Sequence, residues 1–186
     1  MELYPLSGRF STWISLELED ITAAKKYAEA LLELTIKEHY FLFEAVARAF
    51  RGRILSRDGK SEEAIASAQK GLEMFNMTGM VVTETLYLHA LAEAYCLAGQ
   101  VKEGLEIVMK AEHIEQETGD FRQKASFQII KGDLYLLAED ELAAEKTYWA
   151  AVATAQEQSA KLLELEATKQ LANLWNRQGK RSQARE

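Results

Sequence analysis

The segment GRILSRDGKS, from Gly52 to Ser61, carries the residue types of a phosphate-binding loop. Such a loop wraps backbone N–H groups around the phosphates, and it needs four residues between its first glycine and the Gly-Lys-Ser/Thr triplet. Here six residues separate Gly52 from Gly59-Lys60-Ser61. The loop must also follow a buried strand, whereas the preceding FEAVARAFRGRIL has a helical pattern. The segment therefore reads as a helix-to-helix turn and not as a nucleotide site.

The other chemistry-bearing residues are equally sparse. His39, His89 and His113 form no HExxH pair, and the adjacent Glu38-His39 and Glu112-His113 point to different sides of a helix. The acidic pairs Glu62-Glu63 and Asp140-Glu141 fall at helix starts, where they complement the dipole without any acid–base role. No serine, histidine and acid stand in a hydrolase spacing. Cys96 is the only cysteine, so a disulfide within the chain and a cysteine zinc site are excluded; it reads as a small buried hydrophobe. No enzyme, cofactor or metal is expected, and no catalytic residue is assigned.

Composition says what class of chain must position these residues. The 186 residues are 48% hydrophobic, with one proline and ten glycines, and rich in good helix formers. The net charge is −7, which lacks the basic signature of a nucleic-acid binder. No apolar run approaches the ~18 residues of a membrane span. The N-terminal MELYPLSGRFSTW lacks the basic and apolar segments of a secretion signal, so a cytoplasmic location is the expectation.

An internal repeat organises the chain. Ala24, Ala64, Gly104, Ala144 and Ala184 stand forty residues apart. Twelve residues before each lies another short side chain: Thr12, Gly52, Ala92, Gly132 and Ala172. Leu55, Tyr95, Tyr135 and Trp175 follow three residues later, again at intervals of forty. Each unit holds two helices. Leu88, Leu91, Ala92 and Tyr95 form one helical face, and Ala64, Ala68, Gly71, Leu72 and Phe75 form the next. Gly59 and Gly99 are expected to end helices in the left-handed conformation, Gly79 and Gly119 to end the second helices of their units, and Ser61 to cap the helix after Gly59. Small residues let paired backbones approach closely, and such a pair cannot bury its apolar face alone, so neighbours stack. The units run approximately 1–38, 39–78, 79–118, 119–158 and an incomplete 159–186, whose terminal pair is expected to expose Leu171, Leu174 or Trp175.

The small–aromatic–small pattern of Ala92, Tyr95 and Gly104, repeated in Gly132, Tyr135 and Ala144 and in Ala172, Trp175 and Ala184, resembles the tetratricopeptide repeat. The period is forty rather than thirty-four, so each helix is longer by about a turn. Asn76 and Gln116 replace the proline expected after the second helix, and Arg48, Leu88, Gln128 and Thr168 replace the tryptophan of the first. The strings LAEAYCLAGQVKEGL, ETGD, KGDLYLL and LANLWNRQGKRSQARE are similar to the C-terminal repeats of bacterial signalling proteins that join a class III nucleotide cyclase or DNA-binding domain to an AAA-type ATPase. The resemblance implies an all-α, right-handed α-solenoid of antiparallel helix pairs, about 4.5 repeats in a single domain over 1–186.

It also implies a groove lined by the first helix of each pair. The residue after the small position would face it: Arg53, Glu93, Asp133 and Asn173. One turn earlier stand His89, Ile129 and Lys169, and one turn later Arg57 and Arg177. The function implied is a non-catalytic protein-interaction scaffold of a bacterial signalling protein; the alternative is a small-ligand (inducer) sensor of a transcriptional or cyclase regulator. The partner expected is a protein, a peptide or a neighbouring domain of the same polypeptide. The central Glu93 and Asp133 favour a basic partner and repel a peptide carboxylate. Exposed terminal helices allow a homodimer.

Overall fold

The period of forty is twice a period of twenty. Most helices run for 16–18 residues and are followed by a three-residue turn. The computed structural model describes residues 5–18, 20–80 and 83–180, and shows nine helices among them: α1 (Pro5–Glu17), α2 (Ile21–Lys37), α3 (Phe41–Arg57), α4 (Ser61–Asn76), α5 (Glu84–Leu97), α6 (Val101–Thr118), α7 (Lys124–Leu137), α8 (Glu141–Glu157) and α9 (Lys161–Arg177). Ala184 and the second helix of the fifth repeat lie outside the described residues. No described helix is long and apolar enough to cross a membrane.

Six of the turns are closed in one way. The N–H of residues 20, 40, 60, 140, 160 and 180 reaches back five residues to a helical carbonyl at 2.8–2.9 Å. This is the 6→1 bond of the Schellman motif, which satisfies carbonyls the helix end would leave unpaired. The motif requires a left-handed residue, and Gly59 and Gly179 supply it at φ of 74°; Gly79, Gly99 and Gly119 take the same conformation at 69° to 70°. His39, Glu139 and Ser159 take the same conformation at the same register without being glycine. Gly59 therefore ends α3, as expected. Ser61 does not cap α4: it is the first helical residue, Lys60 holds the cap position, and no side chain bonds there. The capping side chains are Asp20, which accepts from Ala23 N at 2.9 Å, and Asp140, which accepts from Ala143 N at 3.0 Å. Asp140 is thus a cap rather than a first-turn residue.

The chain divides into two compact units, one up to Ala98 and one from Gly99. In the first, α1 to α5 pack in sequence, and the first helices of successive pairs also touch, α1 to α3 and α3 to α5. Close approach explains the small residues. A Cβ on Gly52 would stand 2.9 Å from Ala68 Cβ and 3.0 Å from the Ala64 carbonyl oxygen, so α3 and α4 meet nearly backbone to backbone. Leu55, Ala64 and Ala94 are buried together there, and the Phe75 and Tyr87 rings stack at 4.5 Å between centroids.

In the second unit α6, α7, α8 and α9 pack in sequence, and α7 also meets α9. Gly132 gives room to the Tyr148 ring, and Gly104 to the Leu134 side chain. The core joins Ile129, Ala144, Tyr148, Ala151, Val152, Ala167, Leu171 and Leu174. Leu171 and Leu174 are therefore buried, contrary to expectation, and Trp175 is half-buried with its indole N–H donating to Glu145 at 2.9 Å. The stripe left in solvent on α9 is Leu162 and Leu165, one turn apart near its start. Cys96 is buried, as its sequence setting implies.

Candidate functional site

In the first unit the repeat brings Arg53 of α3 opposite Glu93 of α5, because the two occupy equivalent positions forty residues apart on touching helices. Arg53 Nε donates to Glu93 Oε2 at 2.7 Å, and Arg57 Nε donates to Oε1 at 3.0 Å. Arg57 also donates to the Leu16 carbonyl at 3.3 Å, tying α1 to the cluster. Burial by itself would raise the Glu93 carboxyl, but Arg53, His89 and Arg57 overcome it and hold the group at about 2. His89 lies one turn earlier on α5, with Nδ1 3.9 Å from Glu93. Burial, helped by both arginines and opposed by Glu93, lowers His89 to about 3, so it is neutral at physiological pH.

The cluster is accordingly two arginines, one carboxylate and one neutral imidazole. Arg53 and His89 are each 7% exposed, whereas Arg57 reaches solvent. A buried carboxylate held by two guanidinium groups makes a rigid cross-brace between α3 and α5. Its charge is already neutralised within the chain. Arg57 is the member of the set that faces outward.

In the second unit the equivalent positions are Asp133 of α7 and Asn173 of α9. Asp133 is half-buried and accepts from the Tyr148 hydroxyl at 2.6 Å. Burial raises this carboxyl to about 6, against the lowering effect of that bond. Ile129, expected on the groove, is 3% exposed and belongs to the core, since its side chain turns toward α8 and α9. Lys169, Asn173 and Arg177 are all exposed along one line of α9, at i, i+4 and i+8. Of the nine residues assigned on sequence, four therefore present polar groups outward: Arg57 in the first unit, and Lys169, Asn173 and Arg177 in the second. The carboxylates that favoured a basic partner are both bonded within their own units.

Sequence reasoning passed over two features. The Arg53–Glu93 pairing had a signal, because opposite charges stand at one register of successive first helices. The other feature is a pocket of about 290 Å³ in the second unit, between the end of α6 and the start of α7. No periodicity marks it. Its residues, Glu115 and Gln128 among them, come from both sides of the irregular connection 119–123. Among the described residues no three His, Cys, Asp or Glu side chains converge as a metal site.

No protein-family model matches the chain, and no curated protein matches it. Solved structures do. A putative kinesin light chain from Podosopora anserina with nearly identical TPR-like repeats covers 100% of this chain and 92% of its own, with a TM-score of 0.64 at 18% identity. A single-substitution variant of that protein gives 0.65 at 17%. A STAND (signal transduction ATPase with numerous domains) protein with a tetratricopeptide repeat sensor, from Pyrococcus horikoshii, aligns over 92% of this chain with a TM-score of 0.65 at 16% identity; the match spans 27% of that protein. The fold is thus that of the tetratricopeptide-like repeat solenoids.

Proposed function

We propose that this chain is a non-catalytic protein-interaction scaffold, the helical-repeat region of a bacterial signalling protein. One observation carries the reading. The register positions that line the binding face in tetratricopeptide repeats present exposed polar side chains on α9 of the second unit, Lys169, Asn173 and Arg177, on a helix fixed by buried contacts behind it. Lys169 and Arg177 carry donors and no acceptor, so the partner segment they suit carries carboxylates or free carbonyls. The basic partner that Glu93 and Asp133 suggested suits them less, because both acids are already bonded.

A peptide-display selection against the intact chain tests this. Selected peptides are expected to be rich in acceptors and to lose at least ~10-fold in affinity with Lys169→Glu and Arg177→Glu, a change of about 1.4 kcal/mol. Lys102→Glu, on the exposed face of α6, should leave them unaffected. Peptides insensitive to the α9 substitutions would put the binding face elsewhere.

A second reading, a small-ligand sensor, is favoured by the pocket between α6 and α7. The fold likeness to a protein whose tetratricopeptide repeats are a sensor agrees with it. Such a sensor would show a thermal shift with one metabolite out of a broad set.

A further inference from the structure

The pocket in the second unit is lined by two residues whose buried acceptors find no donor among the described residues. Glu115, near the end of α6, is 3% exposed, and its Oε1 meets no hydrogen-bond donor. Gln128 of α7 lines the same space, and its buried Oε1 also lacks a donor. Buried polar atoms are almost always bonded, and leaving one unpaired is costly. Two such atoms on residues that line one pocket are therefore a specific chemical request, for hydrogen-bond donors.

The walls narrow the request further. The Phe121 and Phe127 rings line the pocket, and the Lys124 ammonium already sits 5.5 Å from the centre of the Phe121 ring. Glu112, also lining, has one oxygen bonded to Lys131 at 2.7 Å. Asp120, in the connection between the two helices, is held by Arg122 through two bonds of 2.6 and 2.8 Å. Glu112 and Asp120 thus each have a bonded cation, whereas Glu115 feels the Lys124 charge but takes no hydrogen bond on its buried Oε1 from the described residues. Ammonium and guanidinium groups carry several N–H donors and no acceptor, and aromatic faces attract them. About 290 Å³ admits a short alkyl stem bearing such a head, at the small end of ligand pockets.

We propose that this pocket binds an organic cation, a primary ammonium or guanidinium on an alkyl stem, which donates to the side-chain oxygens of Glu115 and Gln128. The inference rests on the sensor reading and names its ligand class. Burial, the Glu112 charge and Asp120, against the pull of Lys124, push the Glu115 carboxyl up to about 7. An arriving cation would therefore displace a proton from the Glu115 carboxyl near pH 7.

The head group could belong to a free amine or to a lysine or arginine side chain. Calorimetry on the intact chain with n-butylammonium, agmatine and the peptide acetyl-Gly-Lys-Gly-amide separates the two sources, with acetyl-Gly-norleucine-Gly-amide as the uncharged control. Saturable binding of at least one cationic probe is expected, with proton release near pH 7 read from two buffers of different ionisation enthalpy. Glu115→Gln and, independently, Gln128→Leu should each weaken binding at least ~10-fold, while Glu106→Gln on the exposed face of α6 should not. Circular dichroism confirms that the variants fold. Binding unchanged in both pocket variants overturns the proposal. So does a screen in which an uncharged metabolite shifts the melting temperature and no cation does, although the sensor reading then survives. No shift with any compound removes both.

Discussion

At the scale of single residues, the turn positions are the most regular feature of the chain. Residues 39, 59, 79, 99, 119, 139, 159 and 179 all have positive φ, yet only five are glycine. A Cβ in this conformation crowds the following carbonyl, at a cost of about 1 kcal/mol. His39, Glu139 and Ser159 accept that cost because the Schellman bonds on either side fix the turn. Glu139→Gly and Ser159→Gly are therefore expected to stabilise the fold by about 0.5–1 kcal/mol, the strain relieved exceeding the added chain entropy. Gly99→Ala should destabilise it by about 1 kcal/mol through φ alone, since a Cβ there meets open space. Thermal melts of the three variants check both signs. Equal melting temperatures for Glu139→Gly and the parent would mean the turn stores no strain.

At the scale of elements, buried ionisable groups give the two units opposite responses to pH. In the first, His89 and Glu93 both sit below their ordinary values, so the unfolded segment binds more protons than the folded one. Its stability falls as pH drops from about 6.5 toward 3 through His89, and from about 4.5 toward 2 through Glu93. In the second, Glu115 and Asp133 both sit above their ordinary values, so the folded segment holds the extra protons. Its stability falls as pH rises, from about 4.5 to 7 for Glu115 and from about 4 to 6 for Asp133, and is flat above. Hydrogen exchange, corrected for intrinsic rates, reads each unit by its own amides. On going from pH 8 to pH 5, amides of α3 and α5 are expected to lose protection and those of α6 and α7 to gain it, on the order of 2 kcal/mol each way. Parallel changes would show that the buried groups do not control local opening.

At the scale of the whole molecule, the notable surface is apolar. Leu6, Phe10, Trp13 and Ile14 are exposed on α1 at i, i+4, i+7 and i+8, a stripe of the kind a helix normally buries. Leu142 and Trp149 on α8, with Leu162 and Leu165 on α9, form exposed apolar positions in the second unit. Exposed apolar stripes of this kind suit a further protein surface. Where that surface is a second copy laid on α1, light scattering of the intact chain gives double mass at high concentration and single mass for a Phe10→Glu, Trp13→Glu variant. Single mass throughout would leave the neighbouring-domain arrangement.

The all-α class, the helix pairs and their turns were legible in the order of residues. Those features follow from short-range chemistry: glycine at φ near +70°, small residues forced by close backbones, and apolar residues at helical spacing. The candidate polar row was legible too, because register on a repeat is set by counting. What that row is free to do was not, since it depends on packing between helices distant in the chain. Whether Glu93 awaits a partner depends on Arg53 and Arg57, which lie on another helix. Whether Ile129 lines a groove or fills a core depends on α8 and α9. The pocket at Glu115 and Gln128 is formed by two helices meeting across an irregular connection, outside the period of forty, so no count along the chain could have found it.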